Sequence, residues 1–431
     1  MIFLAQMRFP KPEFKDYVEP VLKLEERIPD TLWLRVGILA LLLLLTGLSL
    51  YRWRSRKKLQ LLAACSLLIF GFLFTACPCP IGMYQNLTAS LFSGQAVPLA
   101  IVVLFVLPLV VALYWGRLFC MGGCPIGALQ ELLHLKTIHV PLWLDRLCRQ
   151  IPLLILLVFA VIAGSGGNFY FCRLDPFYAV FGFSTSAALW GIAAFWLVLG
   201  LFVSRPFCRY QCPYGVLLRF FSLFSSRKVE ITTGTCVRCK LCEQGCPNGA
   251  VIAPEPLKSS ENHEVGSRRL SRMIVLFPYV VLLCAVAGYW LSGVIALTNN
   301  EVMLLRDMEK GNATRAVAAF EASGRPLPDL QASAEKNRRF IRIGLTLSGA
   351  IFGAVLMLEL MALSRRRYSG KAYQVDAGLC FACGRCYEVC PVEKKTRTLT
   401  HGRTRTNTDT TYPPRSLPSH QRGRPHRSPG L

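Results

Sequence analysis

Histidine, acidic side chains and nucleotide-binding glycine motifs are all scarce in this 431-residue chain, and each shortage closes off a class of function. The six histidines, His134, His139, His263, His401, His420 and His426, fall outside every long apolar stretch, so no haem held between two membrane helices is expected. No Gly-x-Gly-x-x-Gly follows a strand-like run, and no P-loop, Ser-x-x-Lys or Gly-x-Ser-x-Gly occurs. Sites for nucleotide, hydride or acyl chemistry are therefore missing. Asp and Glu number 25 against 49 Lys and Arg, a formal charge of +24. The basic excess lies in loops between apolar stretches and near the C-terminus, which is how positive-inside membrane topology distributes charge. It does not gather into a face for nucleic acid, and no nucleic-acid partner is expected. Only 17% of residues are charged and 53% are hydrophobic, too apolar for an ordinary soluble domain.

Cysteine, in contrast, is abundant, with 18 residues, and eight of them form two runs of one pattern. The first is Cys236-Val-Arg-Cys239-Lys-Leu-Cys242-Glu-Gln-Gly-Cys246-Pro247. The second is Cys380-Phe-Ala-Cys383-Gly-Arg-Cys386-Tyr-Glu-Val-Cys390-Pro391. Cys-x-x-Cys pairs alone would leave zinc or disulfides open, but four cysteines closing on Cys-Pro, twice, are the ligand pattern of bacterial [4Fe-4S] ferredoxins. In that pattern the fourth cysteine of each run crosses to the other cluster. Cys236, Cys239, Cys242 and Cys390 are thus expected to hold one cluster, and Cys380, Cys383, Cys386 and Cys246 the other. All-thiolate ligation leaves no corner open for a substrate, so the expected chemistry is one-electron transfer, with no catalytic residue.

A second repeat involves four more cysteines. Trp115-Gly-Arg-Leu-Phe-Cys120-Met-Gly-Gly-Cys124-Pro125-Ile-Gly127 returns, shortened, as Arg205-Pro-Phe-Cys208-Arg-Tyr-Gln-Cys212-Pro213-Tyr-Gly215. Each Cys-x3-Cys-Pro brings two sulfurs together across a turn. Cys120, Cys124, Cys208 and Cys212 could form one four-thiolate metal site or a redox-active dithiol, or the sulfurs could be idle in a turn shaped by glycine and proline. Cys77, Cys79 and Cys172 could supply a metal ligand or an outer disulfide, whereas Cys65, Cys148 and Cys284 read as packing residues.

The apolar stretches predict a polytopic α-helical membrane protein of about seven spans, at 31–50, 59–76, 97–115, 151–164, 186–203, 273–297 and 341–363. A small α+β ferredoxin module is split between two cytoplasmic segments. The basic run 52–58 anchors the first loop in the cytoplasm, which puts the N-terminus outside and both ferredoxin runs inside, where thiols stay reduced. The expected organisation is a lead-in segment 1–30, a membrane domain 31–225 and a ferredoxin segment 226–260. Two further spans follow within 261–365, with a polar outer-face insert at 299–339, then a second ferredoxin segment 366–395 and a disordered basic tail 396–431.

With both kinds of cysteine repeat in hand, the chain resembles the polyferredoxin-type membrane proteins related to the nitrous oxide reductase regulator and maturation protein. It is similar too to the membrane quinol dehydrogenase subunit of periplasmic nitrate reduction. The match runs from 59 to 250, through Phe119-Cys120, Phe207-Cys208 and the first ferredoxin run. The resemblance implies a bacterial inner-membrane protein in contact with lipid, carrying two cytoplasmic [4Fe-4S] clusters. Electrons would pass between a cytoplasmic or quinol donor, drawn from the quinone pool, and an extracytoplasmic partner. The Ser-Gly-Ala-Thr motif that carries covalent FMN in the regulator is absent, so a separate flavoprotein or reductase would fill that place. The expectation is an electron-transfer component of an oxidoreductase system. The rivals are a copper-handling assembly factor for an outer-face metalloenzyme and a redox-sensing regulator.

Overall fold

Long apolar stretches fold as helices because the hydrocarbon layer offers backbone amides no partner except one another. The computed structural model describes residues 30–74, 80–94, 96–138, 140–166, 175–183, 187–231, 236–237, 239–253, 263–312, 314–365 and 373–392. Most of the lead-in 1–30, the tail 396–431 and Cys77, Cys79 and Cys172 lie outside these residues. The described chain is mostly helical, with one short sheet of two strands.

Among the described residues, four stretches are long and apolar enough to cross a membrane: Leu32–Tyr51, Trp143–Gly164, Leu270–Thr298 and Leu327–Ala362. Two shorter apolar helices, Leu99–Trp115 and Ala187–Phe202, end just ahead of the two Cys-x3-Cys-Pro turns. The expected 59–76 span is built differently from the others. Helix Arg56–Ser66 runs directly into a π-helical segment, Leu67–Leu73, where Phe70 and Gly71 are buried. The short 151–164 stretch is lengthened by helix Leu142–Cys148, which precedes it almost without a break.

The polar insert also departs from its expected outline. Asn299 caps helix Asn300–Glu309 through its side-chain oxygen, and Thr314 caps Arg315–Ala322. After Gly324 the chain starts one 39-residue helix, Leu327–Arg365, so the last part of the insert is the first turns of the following span. Pro328 is tolerated there because a first-turn N–H has no intrahelical partner.

Helices His263–Ile295 and Leu327–Arg365 pack along each other closely enough that backbone touches backbone. A Cβ at Gly349 would fall on the carbonyl of Cys284, and one at Gly353 would press on the backbone of Val280 and Val281. This is the small-x3-small spacing that lets helices approach in lipid. Gly349→Val should therefore lower the thermal midpoint in detergent, by about 1–3 kcal/mol of overpacking. Gly293→Val, at a position with open space around it, should leave the midpoint unchanged or slightly higher.

Candidate iron-sulfur sites

The two ferredoxin runs, far apart in sequence, meet through strands Val251–Ile252 and Gln374–Val375, paired antiparallel with Val251 opposite Val375 and Ile252 opposite Gln374. Their short helices, Leu241–Gln244 and Arg385–Val389, each follow a left-handed residue at the same place in the cysteine turn, Lys240 (φ 63°) and Gly384 (φ 69°). Glycine enters that conformation at no steric cost. It is also required at Gly384 for space, because a Cβ there would press on Leu59.

Cys246 leaves its own run and joins the other one. Together with Cys380, Cys383 and Cys386 it lines one small cavity of about 20 Å³. Cys242 is buried, with Cys236 packed against it and the Cys239 thiol close enough to act on it electrostatically. Cys390 follows Val389, whose side chain lies against Gly245. Backbone amides reach two sulfurs: Ala250 N–H donates to Cys246 Sγ at 3.3 Å and Ala382 N–H to Cys380 Sγ at 3.4 Å. Burial, reinforced by the Cys383 thiol, pushes Cys380 up to about 12. Binding iron must displace such protons, and four cysteine sulfurs around one cavity suit a cluster ligated by thiolates.

The two Cys-x3-Cys-Pro turns converge as well. Cys120, Cys124 and Cys208 are buried in one core, with Cys212 packed against it. Pro125 and Pro213 each open a helix, Pro125–Leu133 and Pro213–Leu223. Gly127 and Gly215, at equivalent places in the two copies, pass close to the carbonyls of Cys120 and Cys208. Burial raises the thiol pKa values of Cys124, Cys208 and Cys212, and neighbouring thiols of the same group raise them further. Among the described residues, no three His, Cys, Asp or Glu side chains stand close enough to grip a single metal ion.

One buried carboxylate connects these parts. Glu131 is 3% exposed and meets Arg205 at 3.1 Å, Arg385 at 3.2 Å and Arg56 at 3.6 Å. Burial alone would raise its pKa, but the three guanidiniums outweigh burial and hold it below the ordinary carboxylate value. Beside the repeat lies a largely apolar cavity of about 290 Å³, lined by Cys208 and Cys212, by Leu153 and Val355 of spanning helices, by Phe381, and by Arg117. Glu131, Arg117, Arg205 and Arg385 were not singled out by the sequence reasoning. One signal was available: an arginine stands three residues before the first cysteine of each repeat copy.

Residues 97–145 and 185–232, which contain the two Cys-x3-Cys-Pro copies, match a 4Fe-4S binding domain, and residues 373–393 match a second domain of that description. An uncharacterized protein of Methanocaldococcus jannaschii is 31% identical over 44% of this chain and 83% of its own length. YccM of Escherichia coli (strain K12), whose name assigns it provisionally to electron transport, is 31% identical over 39% of this chain and 52% of its own. The regulatory protein NosR of Stutzerimonas stutzeri is 29% identical over 38% of this chain and 24% of its own. The chain belongs to this ferredoxin-type, 4Fe-4S membrane protein family. It spans about half the length of the E. coli relative. No solved structure matches it. Membership bears directly on the Cys-x3-Cys-Pro turns, which fall inside a 4Fe-4S domain match although their spacing differs from that of the ferredoxin runs.

Two outcomes follow for this ferredoxin-type protein. If Cys246 serves the second run, Cys246→Ser and Cys380→Ser should each remove one cluster, and the double variant should lose no more iron than either single. Cys246→Ser with Cys239→Ser should lose two clusters' worth, measured as iron and acid-labile sulfide. Glu131→Gln, which leaves Arg205 buried without its counter-charge, should cost about 3–5 kcal/mol, read as a lowered thermal midpoint in detergent.

Proposed function

We propose that the protein is an iron-sulfur electron carrier of the bacterial inner membrane, passing electrons between a quinol or cytoplasmic donor and an extracytoplasmic redox partner. The observation that carries this reading is the contact between the two kinds of cysteine site. Phe381, inside the second ferredoxin run, is buried in the same core as Cys120, Cys124 and Cys208. Carriers need such proximity, and a protein built to bind metals independently does not.

In this reading Cys236, Cys239, Cys242 and Cys390 hold one cluster, Cys380, Cys383, Cys386 and Cys246 a second, and Cys120, Cys124, Cys208 and Cys212 a third. A [4Fe-4S] cube, when bound, takes up and releases single electrons without breaking bonds. The chain's own residues bury Cys120, Cys124, Cys208 and Cys242, donate amide hydrogen bonds to Cys246 and Cys380, and balance negative charge with buried guanidiniums. We further infer seven spans, with the N-terminus outside and the ferredoxin module facing the cytoplasm, on the charge bias of the loops. The 290 Å³ cavity supports a lipid-soluble donor with a polar head: it is largely apolar, with Arg117, Arg149, Arg209, Arg219 and Glu359 in its lining, residues of spanning helices bound it, and Cys208 and Cys212 form part of its wall. An outer-face flavoprotein or reductase would be the acceptor. The copper-handling alternative rested on Cys77, Cys79 and Cys172, and no observation among the described residues favours it.

Anaerobically purified protein should contain about twelve irons with matching sulfide, four for each cube, and dithionite reduction should give EPR signals of coupled clusters. About eight irons would make the Cys-x3-Cys-Pro thiols a dithiol, and iron near zero would end the electron-carrier reading. With iron present, a quinol analogue should reduce the clusters, and Leu153→Trp, which fills the cavity, should slow that reduction at least tenfold without changing iron content.

A further inference from the structure

Arg117 and Arg205 occupy one position in the internal repeat, three residues before Cys120 and three before Cys208. Both are buried, Arg117 5% exposed and Arg205 fully enclosed, which is rare for arginine unless something pairs with the charge. From the two repeat copies they converge on one ring. The Arg117 guanidinium carbon lies 4.1 Å from the centre of Phe381 and that of Arg205 lies 5.5 Å from it. Phe381 stands between Cys380 and Cys383, and only 3% of it is exposed.

Their polar contacts extend the same convergence. Arg117 Nη1 donates to the Gly378 carbonyl at 3.1 Å, gripping the loop that leads into the second ferredoxin run. Arg205 Nη1 donates to the Cys120 carbonyl at 2.7 Å, tying one repeat copy to the other. Arg205 also holds a left-handed backbone (φ 49°, ψ 55°), a conformation that is costly for a residue with a side chain and that tends to persist where a site requires it. Each guanidinium acts electrostatically on thiols of both groups: Arg205 on Cys383, Cys208 and Cys120, and Arg117 on Cys380, Cys208 and Cys212.

A purely structural role does not account for Arg117. Glu131 balances Arg205, but among the described residues no carboxylate pairs with Arg117, and its Nε is buried without a partner. A buried cation needs an anion. The anions its surroundings supply are thiolates carrying a cluster, whose net charge is negative in both oxidation states.

We propose that Arg117 and Arg205 are a pair of positioning residues that clamp Phe381 between the repeat thiols and the second ferredoxin thiols and raise the reduction potential of the clusters bound on either side. The proposal rests on the iron-sulfur reading above. Reduction adds a negative charge to a cluster, so a fixed positive charge nearby favours the reduced form, strongly where the surroundings are poorly polarisable.

The test is a redox titration of anaerobically purified full-length protein, followed by EPR. Arg117→Gln should hold wild-type iron and lower the ratio of reduced to oxidised cluster at fixed poise about tenfold, equivalent to about 59 mV for a one-electron couple. Arg117→Lys, which keeps the charge, should stay within about threefold of wild type. If the glutamine variant loses iron, the lysine variant decides: wild-type iron and potential support the clamp, and wild-type iron with the reduced-to-oxidised ratio shifted about tenfold from wild type overturns it. Full iron and an unmoved potential in Arg117→Gln overturn it outright. Wild-type protein without iron would sink the iron-sulfur reading itself, a result separate from either outcome for the variants.

Discussion

The rest of the structure depends on one buried charge, the carboxylate of Glu131. It sits in the helix that begins at Pro125, inside the first repeat, and its three guanidinium partners come from three other regions: Arg56 at the start of the second helical stretch, Arg205 in the second repeat, and Arg385 in the second ferredoxin run. A carboxylate this deeply buried is tolerable only when ionic partners surround it, and the guanidiniums are tolerable only because it is there. The ion cluster therefore fixes register: the ferredoxin run cannot dock on the membrane domain without delivering Arg385. Apolar packing alone would not give that specificity, since Leu50, Leu59, Ala63 and Leu118, which receive Ala382 and Tyr387, could accept many apolar loops.

The internal repeat explains why the sulfurs face inward. Each copy ends an apolar helix, turns sharply, presents two cysteines and starts a new helix on proline, and each places a glycine against the carbonyl of its own first cysteine. Two such turns bring Cys120, Cys124, Cys208 and Cys212 into one part of the core. Burial there raises the pKa values of the Cys124, Cys208 and Cys212 thiols, because each added negative charge would meet the others in a poorly hydrated space. Arg117 and Arg205 bring positive charge to these thiols.

The cysteine chemistry was legible in the sequence because ligand spacing is local: Cys-x-x-Cys-x-x-Cys fixes a turn whatever surrounds it. The Cys-Pro ending carries the expectation that Cys246 serves the other run, and the cavity it shares with Cys380, Cys383 and Cys386 is in keeping with that. What escaped was long-range. Arg117, Arg205 and Arg385 are three among 49 basic residues in a chain whose charge bias is already explained by topology, and nothing local marks them as buried. Glu131 in sequence is an ordinary helix residue. The continuous helix Leu327–Arg365 was split in the reading because its first turns are polar, and hydropathy locates a bilayer core and says nothing of where the helix begins.

The pairing of the ferredoxin strands carries a topological constraint that needs no hydropathy. Val251 stands opposite Val375 in the antiparallel pair, so the chain leaves the module after Ile252 and must return to the same place before Gln374. Between those points lie the paired helices His263–Ile295 and Leu327–Arg365, whose inner turns pack Gly349 and Gly353 against the backbone near Cys284. Both helices lie in the one segment that joins the paired strands, and both are long and apolar enough to cross a membrane. The ferredoxin fold then acts as a clasp closing a helical hairpin, and the close glycine packing within the hairpin holds both strand ends near enough for the clasp to form.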